Sequence, residues 1–231
     1  MYQRDYLMRQ IEQAAKMLAA IIKLARGGRP KDALGLFDQV YKPLLGVSSR
    51  VVSTLTDEQL ISLLTSGSVP DLRRVASVLD AVKAEGDVLR LSGEEAAAAS
   101  RYRRALSLAG HLAGRSTDLL DPKLAAELVE RTDGMVLSGE QRLALARVLE
   151  SLGRYDDAED AIFEAVEDLP HEIGPVDAGI AFYQRLLALP DGVLEAGGLP
   201  RDEVKGSLAE LLGRKVPEED DEELADWTAD E

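Results

Sequence analysis

GEQRLALARVLESLGRYDDAEDAIFEAVEDLPHE, residues 139 to 172, decides how this chain folds. Leu145 and Leu149 lie one turn apart on a predicted first helix, where residues three and four positions apart share a face. Gly153 lets the chain reverse, and Ala158 and Ala165 are small enough for a second helix to pack closely on the first. Pro170 then stops that second helix, because the residue before a proline is driven out of the helical region. Such a helix-turn-helix unit cannot bury its apolar face alone, so it has to stack on copies of itself.

Two more copies appear further up the chain. Residues 79 to 112 place Gly86, Leu89, Gly93, Ala98, Tyr102 and Ala105 at matching positions, and residues 14 to 47 place Ala20, Leu24, Gly28, Ala33, Phe37 and Val40 there. Their starts lie about two repeat lengths of ~34 residues apart, which leaves irregular helical spacers near 56–66 and 121–131. The positions resemble the tetratricopeptide consensus, with Arg142 standing where that family has tryptophan. The fold class expected is therefore all-α: a tetratricopeptide-like solenoid of antiparallel helical hairpins with divergent spacer helices and no sheet. An ordinary helical bundle whose small residues fall in phase is the alternative.

Composition agrees with helices. Aromatics are 4%, and β-branched runs are nearly absent apart from Val51-Val52 and Ile21-Ile22, so no strand alternation competes. Thr56 with Gln59, Ser92 with Glu95 and Ser138 with Gln141 have capping-box spacing, and Asp121 before Pro122 reads as an N-cap with a first-turn proline. Helices are predicted near 2–26, 30–43, 56–66, 70–91, 93–113, 121–131, 138–152, 155–168, 174–189 and 200–214. The chain has no cysteine, which excludes disulfides, thiolate metal sites and cysteine catalysis.

The first helix is apolar around most of its circumference. From Ala14 to Ala25 the polar residues are Lys16 and Lys23, so the helix needs cover on more than one side. Leu18, Ile21 and Ile22 are the candidate self-association residues, to be covered by a second chain, giving a homodimer, or by the C-terminal helices. The apolar run is too short to span a bilayer, and no transmembrane segment is expected. The opening YQRDYLMRQIE resembles a bacterial family of uncharacterised helical-repeat proteins that begin with a DY-x-MRQIE segment. That resemblance implies helical repeats and no established activity.

Charge is distributed unevenly. The net charge is −15, so phosphate backbones repel the chain and nucleic acid is not expected as a partner. The division expected is one helical-repeat domain over 1–215 and an acidic tail over 216–231, PEEDDEELADWTADE after Val216, which cannot pay for its own ordering. Leu224 and Trp227 form a candidate docking element in that tail, since a lone large aromatic is costly to leave in water and anchors well in pockets.

No catalytic constellation is found. His171-Glu172 begins like a zinc-protease pair, but Pro175 occupies the place of the second histidine, and His111 reads as a surface or capping residue. Neither a phosphate-cradling loop nor a GxSxG motif occurs, so no cofactor, metal or enzymatic activity is expected. A repeat groove is lined by the first helix of each unit. The tetratricopeptide resemblance implies that Asp80, Lys83, Asp87 and Arg90 of one unit and Glu140, Leu143, Arg147 and Glu150 of the next lie on the inner face, while the first unit offers apolar Ala15, Leu18, Ile22 and Ala25 and is expected to be filled. The candidate partner groove is Lys83, Asp87, Arg90, Leu143, Arg147 and Glu150. The function expected is a cytoplasmic, non-catalytic scaffold for a protein or peptide partner. A self-associating structural or regulatory oligomer is the alternative, and a small-ligand binder or enzyme a further one.

Overall fold

The computed structural model describes residues 2–66 and 69–215. The chain runs through α1 (Tyr2–Arg26), α2 (Pro30–Leu34), α3 (Asp38–Leu45), α4 (Ser49–Thr54), α5 (Asp57–Leu63), α6 (Leu72–Leu91) and α7 (Glu95–Ala113). A single 3-10 turn at Thr117–Leu119 follows, and then α8 (Pro122–Thr132), α9 (Gly139–Ser151), α10 (Tyr155–Asp168), α11 (Ile173–Leu187), α12 (Asp191–Ala196) and α13 (Arg201–Lys215). Helix makes up 79% of the structure, which places the chain in the all-α class.

The turns named from sequence recur with one geometry. Gly28, Gly93 and Gly153 have φ of 86°, 81° and 73°, a left-handed conformation that glycine adopts without a Cβ penalty. Around each, the same pair of backbone bonds closes the preceding helix. Glu94 N–H bonds Leu89 O at 2.9 Å and Gly93 N–H bonds Arg90 O at 3.0 Å; Arg154 to Leu149 and Gly153 to Glu150 repeat this at 3.0 Å each, and Arg29 to Leu24 and Gly28 to Ala25 at 3.3 and 3.1 Å. This is the double bond of a Schellman cap, which satisfies helix carbonyls that would otherwise be orphaned.

Small residues make the crossings. Ala98, Ala105, Ala146, Ala158 and Ala165 are all 3% exposed or less, and Gly86 is buried too. A Cβ on Gly86 would lie 2.9 Å from the Tyr102 ring, and one on Gly110 2.6 Å from the backbone of Ala144. So α6 against α7, and α7 against α9, pack closely enough to leave no room for a Cβ at these glycines.

Several local expectations are corrected. The helix predicted at 30–43 is two helices, because a turn at Gly35–Phe37 separates α2 from α3, and Pro43 sits inside α3. Ser92 caps no helix start: its hydroxyl bonds back to Val88 O at 2.9 Å at the C-terminal end of α6, and the cap residue of α7 is Glu94 with no side-chain bond. The capping boxes at Thr56 and Ser138 form as read. No sheet was expected, yet Thr65–Ser66 pairs antiparallel with Val69–Pro70, a two-residue exception. Helices α4 and α12 carry no strong sequence signal. The guanidinium of Arg104 holds α4 in place, bonding the carbonyls of Val52 and Leu55 and, at 3.1 Å, Asp57.

Apolar residues form a large core over α1 to α9 and a second over α9 to α13, with Val129 and Leu145 packed against both. Ile21 is fully buried, and α1 is covered by α2, α3 and α6. The C-terminal helices do not provide that cover. Between α3, α4, α6 and α7 lies a polar knot: Glu85 accepts bonds from Tyr41 Oη (2.7 Å), Ser49 Oγ (2.5 Å) and Arg101 Nε (2.7 Å). Burial, and after it the charge of Glu85, raises the Tyr41 pKa well above the ordinary tyrosine value, so its hydroxyl stays a donor.

Candidate functional site

The same packing leaves a groove open between α1 and α6. Ile11, Ala15, Leu18, Ala19 and Ile22 of α1 face Ala84, Val88 and Leu91 of α6, with Leu124 of α8 closing one side, around a volume of about 480 Å³. That size falls within the ~300–1,000 Å³ of small-ligand clefts. Ala15, Leu18, Ile22 and Ala25, expected to be filled, line this open space together with Asp80, Lys83 and Asp87. Of the proposed self-association residues, Leu18 and Ile22 are half-buried and line the groove, whereas Ile21 points into the core.

The charged residues here differ in what they hold. Lys83 Nζ lies 2.9 Å from Asp87 and also bonds Glu127, while Asp87 accepts the Tyr102 hydroxyl at 2.8 Å. Burial opposes the Lys83 ammonium, but the bonds to Glu127 and Asp87 outweigh it and leave its pKa above the ordinary lysine value. Lys83 and Asp87 therefore brace α6 against α7 and α8. Asp80 has no hydrogen bond or salt bridge among the described residues. Enclosure by the groove, with repulsion from Asp121 second, pushes its carboxyl up to about 6, although one side stays open to solvent.

Folding thus raises the Asp80 pKa from 3.8 to about 6. The resulting penalty on the folded state is absent below pH 3.8, grows as pH rises towards 6 and is constant above that. Asp80→Asn is expected to raise Tm at pH 7 and leave it unchanged near pH 4. Solvent access limits the gain to about 1 kcal/mol at most. Calorimetry at the two pH values checks this, and equal shifts at both would show that charge is not the cause.

Leu143, Arg147 and Glu150 sit elsewhere. Leu143 enters a crevice with Ile162 and Phe182 between α9, α10 and α11. Arg147, Glu150 and Arg185 border the same crevice and, with Arg115, line a larger concavity of about 870 Å³. Arg185 grips both Glu150 oxygens at 2.7 Å. Arg90 is exposed near the end of α6 and lines neither space. Arg115 and Arg185 carry no sequence signal of a site, since basic residues near helix C-termini are ordinary dipole complements. Leu224 and Trp227 lie outside the described residues.

Fold and groove together define an all-helical protein of closely crossed hairpins with a lateral apolar cleft. No helix among the described residues is long and apolar enough to cross a membrane. The chain belongs to the DUF6483 family, a family of unknown function, whose model matches residues 1–215. No curated protein and no solved structure matches the chain.

Proposed function

We propose that this protein is a non-catalytic, tetratricopeptide-like scaffold whose α1–α6 groove holds an amphipathic helix of a partner protein. The observation carrying this reading is the open apolar groove with a single unpaired carboxylate, Asp80, on its wall. An apolar face in a groove of this kind is the helix-in-groove mode of recognition, read through anchors at i, i+3, i+4 and i+7. The identical caps at Gly28, Gly93 and Gly153 support the repeat reading, because three hairpins then present their first helices in series. Asp80 and the net charge of −15 select a helix with a lysine or arginine beside its apolar stripe. The proposed setting is the cytoplasm, with no cofactor.

A display library of helical peptides, screened against the full chain, tests this. Enriched sequences are expected to combine an apolar stripe with an adjacent basic residue. Ala19→Glu, at an exposed position on the groove wall, and Ile22→Glu should each weaken them at least about tenfold through an unpaired charge in an apolar contact. Binding should also weaken between pH 7 and pH 5, as Asp80 takes up its proton. Peptides that bind the Ala19→Glu chain equally well would overturn the groove. A dimer seen by light scattering and dissociated by Ala19→Glu would instead assign the groove to a second copy of this chain.

A further inference from the structure

The α1–α6 groove has a direction. Leu34 of α2 packs on the cluster of Leu89, Ala98 and Tyr102, Tyr41 Oη of α3 bonds Glu85 at 2.7 Å, and Leu44 O takes Arg74 Nε at 3.2 Å. The chain from α2 to α3 therefore runs along α6 against its course. Helix α1 folds back on α2 and α3 through the turn at Gly28, so it lies parallel to α6. The two walls end together, with Arg26 and Leu91 at one end of the groove. Asp80 stands about three turns back, roughly 16 Å along α6 at a rise of about 1.5 Å per residue.

The two ends carry opposite charge. Arg26 makes no side-chain hydrogen bond or ion pair among the described residues, and Lys23 and Arg90 occupy the same last turns of α1 and α6. At the other end Asp80 is unpaired, and Asp121 lies near enough to repel it. Between the ends Lys83 and Asp87 hold each other at 2.9 Å, and Leu18, Ile22, Ala84 and Val88 supply the apolar floor.

We propose that the groove selects the direction of its guest: the partner's helix lies antiparallel to α1 and α6, with an acidic residue on Arg26 and, about eleven positions later, a lysine or arginine on Asp80. This rests on the helix-in-groove reading above. Eleven residues of helix rise roughly 16 Å and return to within about 20° of the starting face, which matches the separation of the two ends. The antiparallel guest sets its positive N-terminus beside the negative C-termini of α1 and α6. It also carries its acid in an early turn and its base in a late one, as its own dipole favours. A guest of the opposite direction that met the same two charges would place both against its dipole.

Two amphipathic peptides of identical composition, added to the full chain at pH 7, test this. Both have apolar anchors at i+4 and i+7; one has Glu at i and Lys at i+11, and the other has these two exchanged. Calorimetry at about 20 mM salt, where exposed charges are little screened, is expected to show the acid-first peptide binding at least about fivefold more tightly. Arg26→Glu leaves both ends acidic and should erase that preference. Arg26 is exposed, and an unchanged melting curve confirms that the variant is folded. A nitroxide on the N-terminus of the acid-first peptide should broaden the amide signals of Gly27 and Gly28, and one on its C-terminus that of Ser77.

Three results would overturn the direction and leave the groove reading standing. They are equal affinities, the reverse broadening pattern, and a preference that persists in Arg26→Glu and so belongs to the peptide's own helicity. Binding of neither peptide, including the case of a dimer whose second copy fills the groove, would sink both readings together.

Discussion

Replacement of Glu85 by alanine is expected to cost the protein about 3–5 kcal/mol, the scale seen when one partner of a buried ion pair is removed. Glu85 and Arg101 are 4% and 8% exposed, and the Arg101 guanidinium approaches both carboxylate oxygens, at 2.7 and 3.3 Å. Burial alone would lower the Arg101 pKa, but the bond to Glu85 and its charge more than reverse this. Without Glu85 the guanidinium, the Tyr41 hydroxyl and the Ser49 hydroxyl would all lose their acceptor in a place that water reaches poorly. Glu85→Gln keeps the shape and one acceptor and should cost less. Replacing both Glu85 and Arg101 by methionine should recover much of the loss, because apolar residues of similar volume often substitute for a buried pair at little cost. Urea denaturation of the three variants reads these values. A loss below about 1 kcal/mol for Glu85→Ala, the scale of an exposed pair, would mean that the knot is hydrated and contributes little.

The second large effect reverses the usual sign of a helix substitution. Glycine to alanine inside a helix normally stabilises by ~0.5–1 kcal/mol, since alanine has less backbone freedom to lose. Gly206 in α13 has open space around it and should follow that rule. At Gly110 the new Cβ would meet the Cα, Cβ and backbone oxygen of Ala144 at 2.6 to 2.7 Å. Backbone on α9 cannot rotate aside as a long side chain could. Gly110→Ala is therefore expected to destabilise by ~2–3 kcal/mol, the range for overpacking a tight core. Thermal unfolding of the two variants checks the contrast, and a stabilising Gly110→Ala would show that α7 and α9 are farther apart than described.

Much of this fold is legible in the primary structure, because its signals are local. Glycine at 28, 93 and 153 ends each helix by a conformation that other residues adopt at a cost, and Ala98, Ala105, Ala158 and Ala165 mark the crossings by size alone. The boundaries of α10 can be read to the residue, since Gly153 before it and Pro170 after it act on the chain directly. The break between α2 and α3 has no comparable mark. Helix α4, six residues long, is held by Arg104, which lies about fifty positions away in sequence. A helix that short has too few bonds of its own to persist.

The site divides along the same line. The tetratricopeptide resemblance implies one inner surface for apolar Leu18 and Ile22 and for charged Asp80, Lys83 and Asp87, and these residues do line one cavity. Periodicity cannot tell that Lys83 is bound by Asp87 and Glu127 while Asp80 is left unpaired, because pairing depends on where α7 and α8 come to rest. It could not separate Arg147 and Glu150 from Lys83 into a second concavity, nor bring Arg115 and Arg185 to them. The sequence by itself determined the long helices, the turns at Gly28, Gly93 and Gly153 and the small residues at the crossings, all of which follow from residues within a turn or two of each other. The tertiary structure decided which charges are spent in holding helices together and which stay unpaired, since that balance is struck between elements distant along the chain.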